Sequence, residues 1–154
     1  MTQPRRGPDR ARGASGKGPL PLRPRQFVQF VLGLTGITYS ASGVALILFP
    51  TWFLENVGRF APFNRHYMGD AGAFVLAIGV GVWLIRRDPW AHKSMFLAGL
   101  VATQLHALNH VYDAVMGHAN MEHWLRDTLP NTLTGVLYLL AFLWVWRAQS
   151  SGDR

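Results

Sequence analysis

The chain has 154 residues, of which 49% are hydrophobic and 15% charged, with a formal net charge of +7 and no cysteine. That length holds one domain, and an apolar share gathered into long runs excludes an ordinary soluble domain. The lack of cysteine excludes disulfide relay, thiol peroxidase, iron–sulfur and thiolate–zinc chemistry within the chain, and no Gly-rich phosphate loop is present.

Residues 1–26 are rich in Pro, Gly and Arg and carry seven basic residues against Asp9. So little apolar surface cannot offset the entropy of ordering, which predicts a disordered, basic cytoplasmic tail. No aromatic residues alternate with the basic ones, so no nucleic-acid partner is expected; the tail suits anionic lipid. Residues 27–147 form the predicted transmembrane domain, and 148–154 a cytoplasmic C-terminal tail. The first apolar run, Phe27 to Phe49, approaches the ~20 residues that cross a bilayer core. After Pro50, the apolar residues Trp52, Phe53, Leu54, Val57 and Phe60 alternate with Glu55, Asn56 and Arg59. This pattern predicts a short amphipathic segment on the outer surface, either a connector or a lid.

The second run is Tyr67 to Ile85, with Asp70 in its outer turn, and the third is Met95 to Tyr112. The fourth is Leu129 to Trp146, and Trp83, Trp90, Tyr112, Trp124, Trp144 and Trp146 flank the runs at depths that suit the headgroup boundary. Small residues recur at Gly33, Gly36, Ser40 and Gly43 on the first run and at Gly69, Ala73, Ala77 and Gly81 on the second. Such stripes let helix backbones approach, within one chain or in a homo-oligomer. Basic residues set the orientation: twelve of the 15 Lys and Arg lie in the N-terminal tail, the Arg86–Lys93 link and the C-terminus. Only Arg59, Arg65 and Arg126 fall in the other two loops, so both termini are expected in the cytoplasm. The expected fold is all-α, an integral four-helix bundle of the cytoplasmic membrane with both ends inside.

The third run carries a polar ladder, His106, Asn109, His110 and Asp113, at spacings i, i+3, i+4 and i+7. These positions share one helix face over about 10 Å. Ionisable groups at membrane depth are costly and face the bundle interior or a cavity, so the ladder is the expected functional site. Asp70, His66 and Arg65 from the second helix, Gln104 and Thr103 deeper in the third, and Asn131 and Tyr138 from the fourth are its expected walls. One reading is a satisfied network in which Arg65 pairs with Asp70 or Asp113. Another is a divalent metal on His106 and His110, one turn apart, with Asp113 or Asp70 completing the set, and with His118, Glu122 or His123 able to join. A third is acid–base chemistry on a lipophilic substrate such as a quinone, isoprenoid or acyl chain. In it His106 or His110 is the base and Asp113 or Asp70 holds the tautomer. The sequence itself names no cofactor.

The stretch Phe63 to Phe74, which contains Asn64, Arg65, Gly69 and Asp70 and is followed by Ala77-Ile78-Gly79, resembles the second helix of small bacterial four-helix membrane proteins of the DoxX-like type. Those proteins place an Asn-x-Arg or Arg-x-x-x-Gly element after an outer loop that begins with Pro, and Pro50, Arg65 and Gly69 match. The similarity runs from about Gly33 to Trp146, and departs from the pattern where Leu108 to Asp113 replaces a Gly-Arg element in the third helix. The resemblance implies a four-helix bundle in the bacterial inner membrane and, for some relatives, association with quinone or redox systems. Taken together, the residues predict a binding or accessory membrane protein with an outward-facing His/Asp pocket, with a membrane enzyme or a metal-binding protein as the alternatives.

Overall fold

Helix boundaries follow local chemistry. In the computed structural model, which describes residues 22–58, 62–118 and 120–151, α1 spans Leu22–Leu48. It therefore starts ahead of the Phe27 boundary; the rest of the expected tail, 1–21, lies outside the described residues, as do residues 59–61 of the outer segment. Pro50 then opens the short α2, Pro50–Phe53, at the first helical turn, where its missing N–H costs nothing. A π-helical turn, Leu54–Gly58, follows. Asn64 caps α3, Arg65–Ile85: its Oδ1 accepts from the backbone N–H of His66 at 3.0 Å and of Tyr67 at 3.2 Å. In the link, Asp88 accepts from the Ala91 amide at 3.1 Å, and α4 runs Lys93–Asp113. A second π turn, Ala114–His118, precedes α5, Met121–His123, whose cap is Asn120. A third π turn, Trp124–Thr128, leads into α6, Leu129–Ser151. Pro130 lacks the N–H that an α-helix needs there, and a π turn just ahead of it is a common accommodation. The described residues contain no strand.

Among the described residues, three segments are long and apolar enough to cross a membrane: Arg23–Leu48, Arg65–Ile85 and Met121–Ser150. The chain is a membrane protein. The third expected span, on α4, falls short of the other three although it has the same 21 residues as α3. Gln104, His106, Asn109, His110 and Asp113 dilute its apolar surface.

Two helix pairs carry most of the packing. In the first, α1 lies so close to α3 that a Cβ on Gly43 would stand 2.6 Å from the Leu76 nitrogen, and one on Gly79 2.5 Å from the Ser40 nitrogen. Backbone approach of this kind replaces hydrophobic driving force where the solvent is lipid. The seam uses the expected stripe on α1, Gly36, Ser40 and Gly43, but on α3 it uses Gly72, Leu76, Gly79 and Trp83. The expected α3 stripe divides instead: Ala73 and Ala77 are exposed, and Gly81 packs on Met95 of α4. In the second pair, Gln104 Nε2 of α4 donates to the Gly135 carbonyl of α6 at 2.9 Å, and the buried Tyr138 hydroxyl donates to the Phe96 carbonyl at 3.3 Å. The pairs meet where α1 touches α6 and α3 touches α4.

The largest buried apolar cluster sits at one end, while Leu46, Met68 and Ala114 are buried toward the other. Val28, Leu32, Val82, Ile85, Phe96, Tyr138, Ala141 and Val145 form that cluster, and the Phe96 ring packs at a tilt against both Tyr138 and Phe142. The cluster's end is where α1 and α4 begin and α3 and α6 finish. Its rim carries a guanidinium, Arg86, 3.6 Å over Trp83, and the Lys93 ammonium 4.4 Å over Trp90. Outside the core, Phe74, Leu84, Leu105, Leu108 and Leu133 are exposed, which is the apolar outer surface that lipid covers.

Candidate functional site

Polar side chains gather at the opposite end. On α4, His106 and His110 are one turn apart and their rings meet edge to face with centroids 4.7 Å apart. Tyr39 of α1 reaches across to His106 at 6.0 Å, edge on. Asn131 of α6 lies in hydrogen-bonding reach of the same imidazole, while its amide donates to the Asp127 carbonyl at 2.8 Å. Beyond His110 comes His123 of α5, with ring centroids 6.4 Å apart. His123 Nδ1 is 3.2 Å from Asp127 Oδ2, and both side chains are largely enclosed. The row therefore runs from Asp127 through His123 and His110 to His106, and ends on Tyr39 and Asn131.

Three elements hold this row. The α4 helix fixes the spacing of His106 and His110, and Thr128 fastens the α4–α6 register where its hydroxyl approaches the His110 carbonyl at 3.5 Å. The Asn120 cap, accepting from the His123 amide at 2.9 Å, sets the short helix that carries His123. The π turn that follows aims Asp127 back at that imidazole. A further tie crosses the same end: Arg126 pairs with Glu122 at 3.0 Å and donates through Nη2 to the Asn56 carbonyl at 2.8 Å. It joins the segment after α1 to the segment after α4.

Several expected site residues stand elsewhere. Asp70 pairs with His66 at 3.4 Å on the outer surface of α3, with side chains 56% and 85% exposed. Asp113 accepts from the Asn109 amide at 3.5 Å, so the ladder splits into two neighbouring stripes, His106–His110 and Asn109–Asp113. Arg65 joins neither carboxylate among the described ion pairs; its guanidinium lies back along α3 toward Gly69. Tyr138 belongs to the apolar core, and Gln104 spends its amide on the Gly135 carbonyl. Thr103 returns its hydroxyl to the Gly99 carbonyl at 2.9 Å. Among the described residues, no group of three His, Asp or Glu side chains is placed to hold one metal ion. His106, His110 and Asp113 therefore do not converge as a ligand set.

The sequence pattern missed Asp127 and Tyr39, and offered His123 only as a residue able to join a metal set. One signal was present, since His123 and Asp127 stand at i and i+4. The lone pairs of the row are unevenly used. His110 Nδ1, His123 Nε2 and the Thr132 hydroxyl are all buried with no hydrogen-bond partner among the described residues. In contrast, His106 is an exposed residue. The row thus runs from the enclosed His123 and Asp127 to the exposed His106.

No family model, curated protein or solved structure matches this chain.

Proposed function

We propose that the chain is a small multi-pass protein of the cytoplasmic membrane, of the binding or accessory class, whose outer polar pocket holds the head of a lipophilic molecule. In this reading α1, α3, α4 and α6 form a four-helix bundle, the arrangement that the DoxX-like resemblance implies, with both termini and the Arg86–Lys93 link inside. The observation that carries it is the division of the interior. One end is sealed by aromatic and aliphatic packing around Phe96 and Tyr138, and the other holds a histidine row that ends on the exposed His106. A sealed inner end suits holding a ligand and opposes conduction across the membrane. An exposed histidine on a membrane helix suits entry from the lipid side.

Acid–base catalysis on such a ligand is the second reading, and the Asp127–His123 contact favours it, because a carboxylate that orients an imidazole is the usual support of a general base. The deciding experiment purifies the protein in native lipid discs and compares small molecules that co-purify with the wild type and with His106→Gln and His110→Gln. A lipophilic compound retained by the wild type and lost from both folded variants is the expected result. Identical contents in all three would remove the pocket as a binding site.

A further inference from the structure

We propose that Asp127 and His123 form a base that accepts the hydroxyl proton of a membrane-dissolved amphiphile with a weakly acidic O–H, such as an alkylphenol; this rests on the pocket reading above. The Asp127 contact at His123 Nδ1 assigns the N–H to that nitrogen. A neutral imidazole held this way offers a bare lone pair at Nε2, the atom that is buried and unpartnered. It calls for a hydrogen-bond donor, so an O–H fits where a carbonyl or a carboxylate does not.

Two more orphan atoms belong to the same end of the molecule. Thr132 lies on the α6 face that carries Thr128 and Gly135 against α4, and His110 stands next to His123. Unsatisfied buried polar atoms are expensive, and a ligand O–H that reached His123 Nε2 would satisfy that atom as donor. A metal would also use the lone pair, yet the described residues offer no three-ligand group.

In the proposed step the O–H bond breaks, its proton moves to His123 Nε2, and the electron pair stays on the ligand oxygen. Asp127 balances the imidazolium, and no electron changes hands. The other charged or titratable groups near His123 are the Glu122–Arg126 pair on its own segment and, on α4, His110 with Asp113 at the helix end. Tyr39 on α1 faces the far end of the row. None of these offers His123 a second carboxylate at the distance of Asp127 among the described ion pairs.

The test uses the full chain in lipid discs and 2-nitro-4-decylphenol, a probe whose phenolate colours in visible light. Saturable retention above empty discs measures binding, and a pH titration of the colour measures proton transfer. The expected result is a bound probe that ionises roughly one pH unit earlier than in empty discs, about a tenfold gain in phenolate on the slope of the curve. His123→Gln and Asp127→Asn should abolish the gain, and His66→Gln, on the outer surface of α3, should keep it. Two variants are made, each checked for helicity, so that misfolding of one leaves the other to decide. Retention with unchanged ionisation, or a gain that survives in both variants, overturns the base and leaves the pocket standing. No saturable retention overturns the base, and the small-molecule comparison above then decides the pocket by itself.

Discussion

An imidazole can be replaced by an amide without losing the capacity both to donate and to accept, and this separates scaffold from function at His106 and His110. The two rings touch each other, and His106 also meets Tyr39, so the contacts that glutamine forfeits are aromatic edges. Such edges contribute about 0.5–1.5 kcal/mol each. His106→Gln and His110→Gln are therefore expected to insert and fold, with thermal unfolding in detergent only modestly earlier than the wild type, while ligand retention is lost. Wholesale unfolding of both would make the row a structural network. Arg65 gives the opposite case. With no carboxylate partner among the described ion pairs and an exposed side chain, Arg65→Gln should change stability by no more than about 0.5 kcal/mol. A loss of several kcal/mol in an unfolding titration would show a buried pair at that position.

At the scale of the element, the α1–α3 seam is the most sensitive contact in the protein. Gly43 and Gly79 leave no room for a side chain because two of the three nearest atoms that each faces are backbone, which cannot rotate away. Gly43→Val and Gly79→Val should each cost about 1–3 kcal/mol by overpacking, whereas Ala77→Val, on an exposed position of α3, should be nearly neutral. Equal effects at all three sites, read by thermal unfolding in one detergent, would disprove the seam. The sequence made the α1 stripe legible because Gly33, Gly36, Ser40 and Gly43 share one face of α1. On α3 small residues occupy two neighbouring faces, and spacing alone could not choose between them; the close approach of α1 does. The site was legible in the same partial way. One-turn spacing revealed the His106–His110 pair, a property of one helix. The carboxylate depended on where a loop returns, so Asp70 and Asp113 were expected and Asp127 is found. The turn that delivers Asp127 is π-helical, and no residue spacing announces it.

For the whole molecule, the separation of a dry end from a polar end gives the proposed topology a physical meaning. Basic residues concentrate beside the dry end, where Arg86 and Lys93 rest on Trp83 and Trp90, a placement that suits a headgroup boundary. The histidine row, the two outer segments and the Arg126 tie lie at the other end. If charge sets the orientation, reporters fused after Arg87 and after Arg154 should both read cytoplasmic, and one inserted at Ala119 should read external. The fusion at Ala119 also tests α4, because its polar residues leave it less apolar than the other long helices. An α4 that failed to cross would put Ala119 on the same side as Arg87, and would strand His106 and His110 outside the bilayer. It would also carry the end of α6 to the opposite face, so the reporter at Arg154 would turn external. Agreement of all three reporters with the charge bias would fix four crossings, and an external C-terminus would reduce them to three. In that event His106 would lose its lipid-facing flank, and entry of a lipophilic ligand from the side would fail with it.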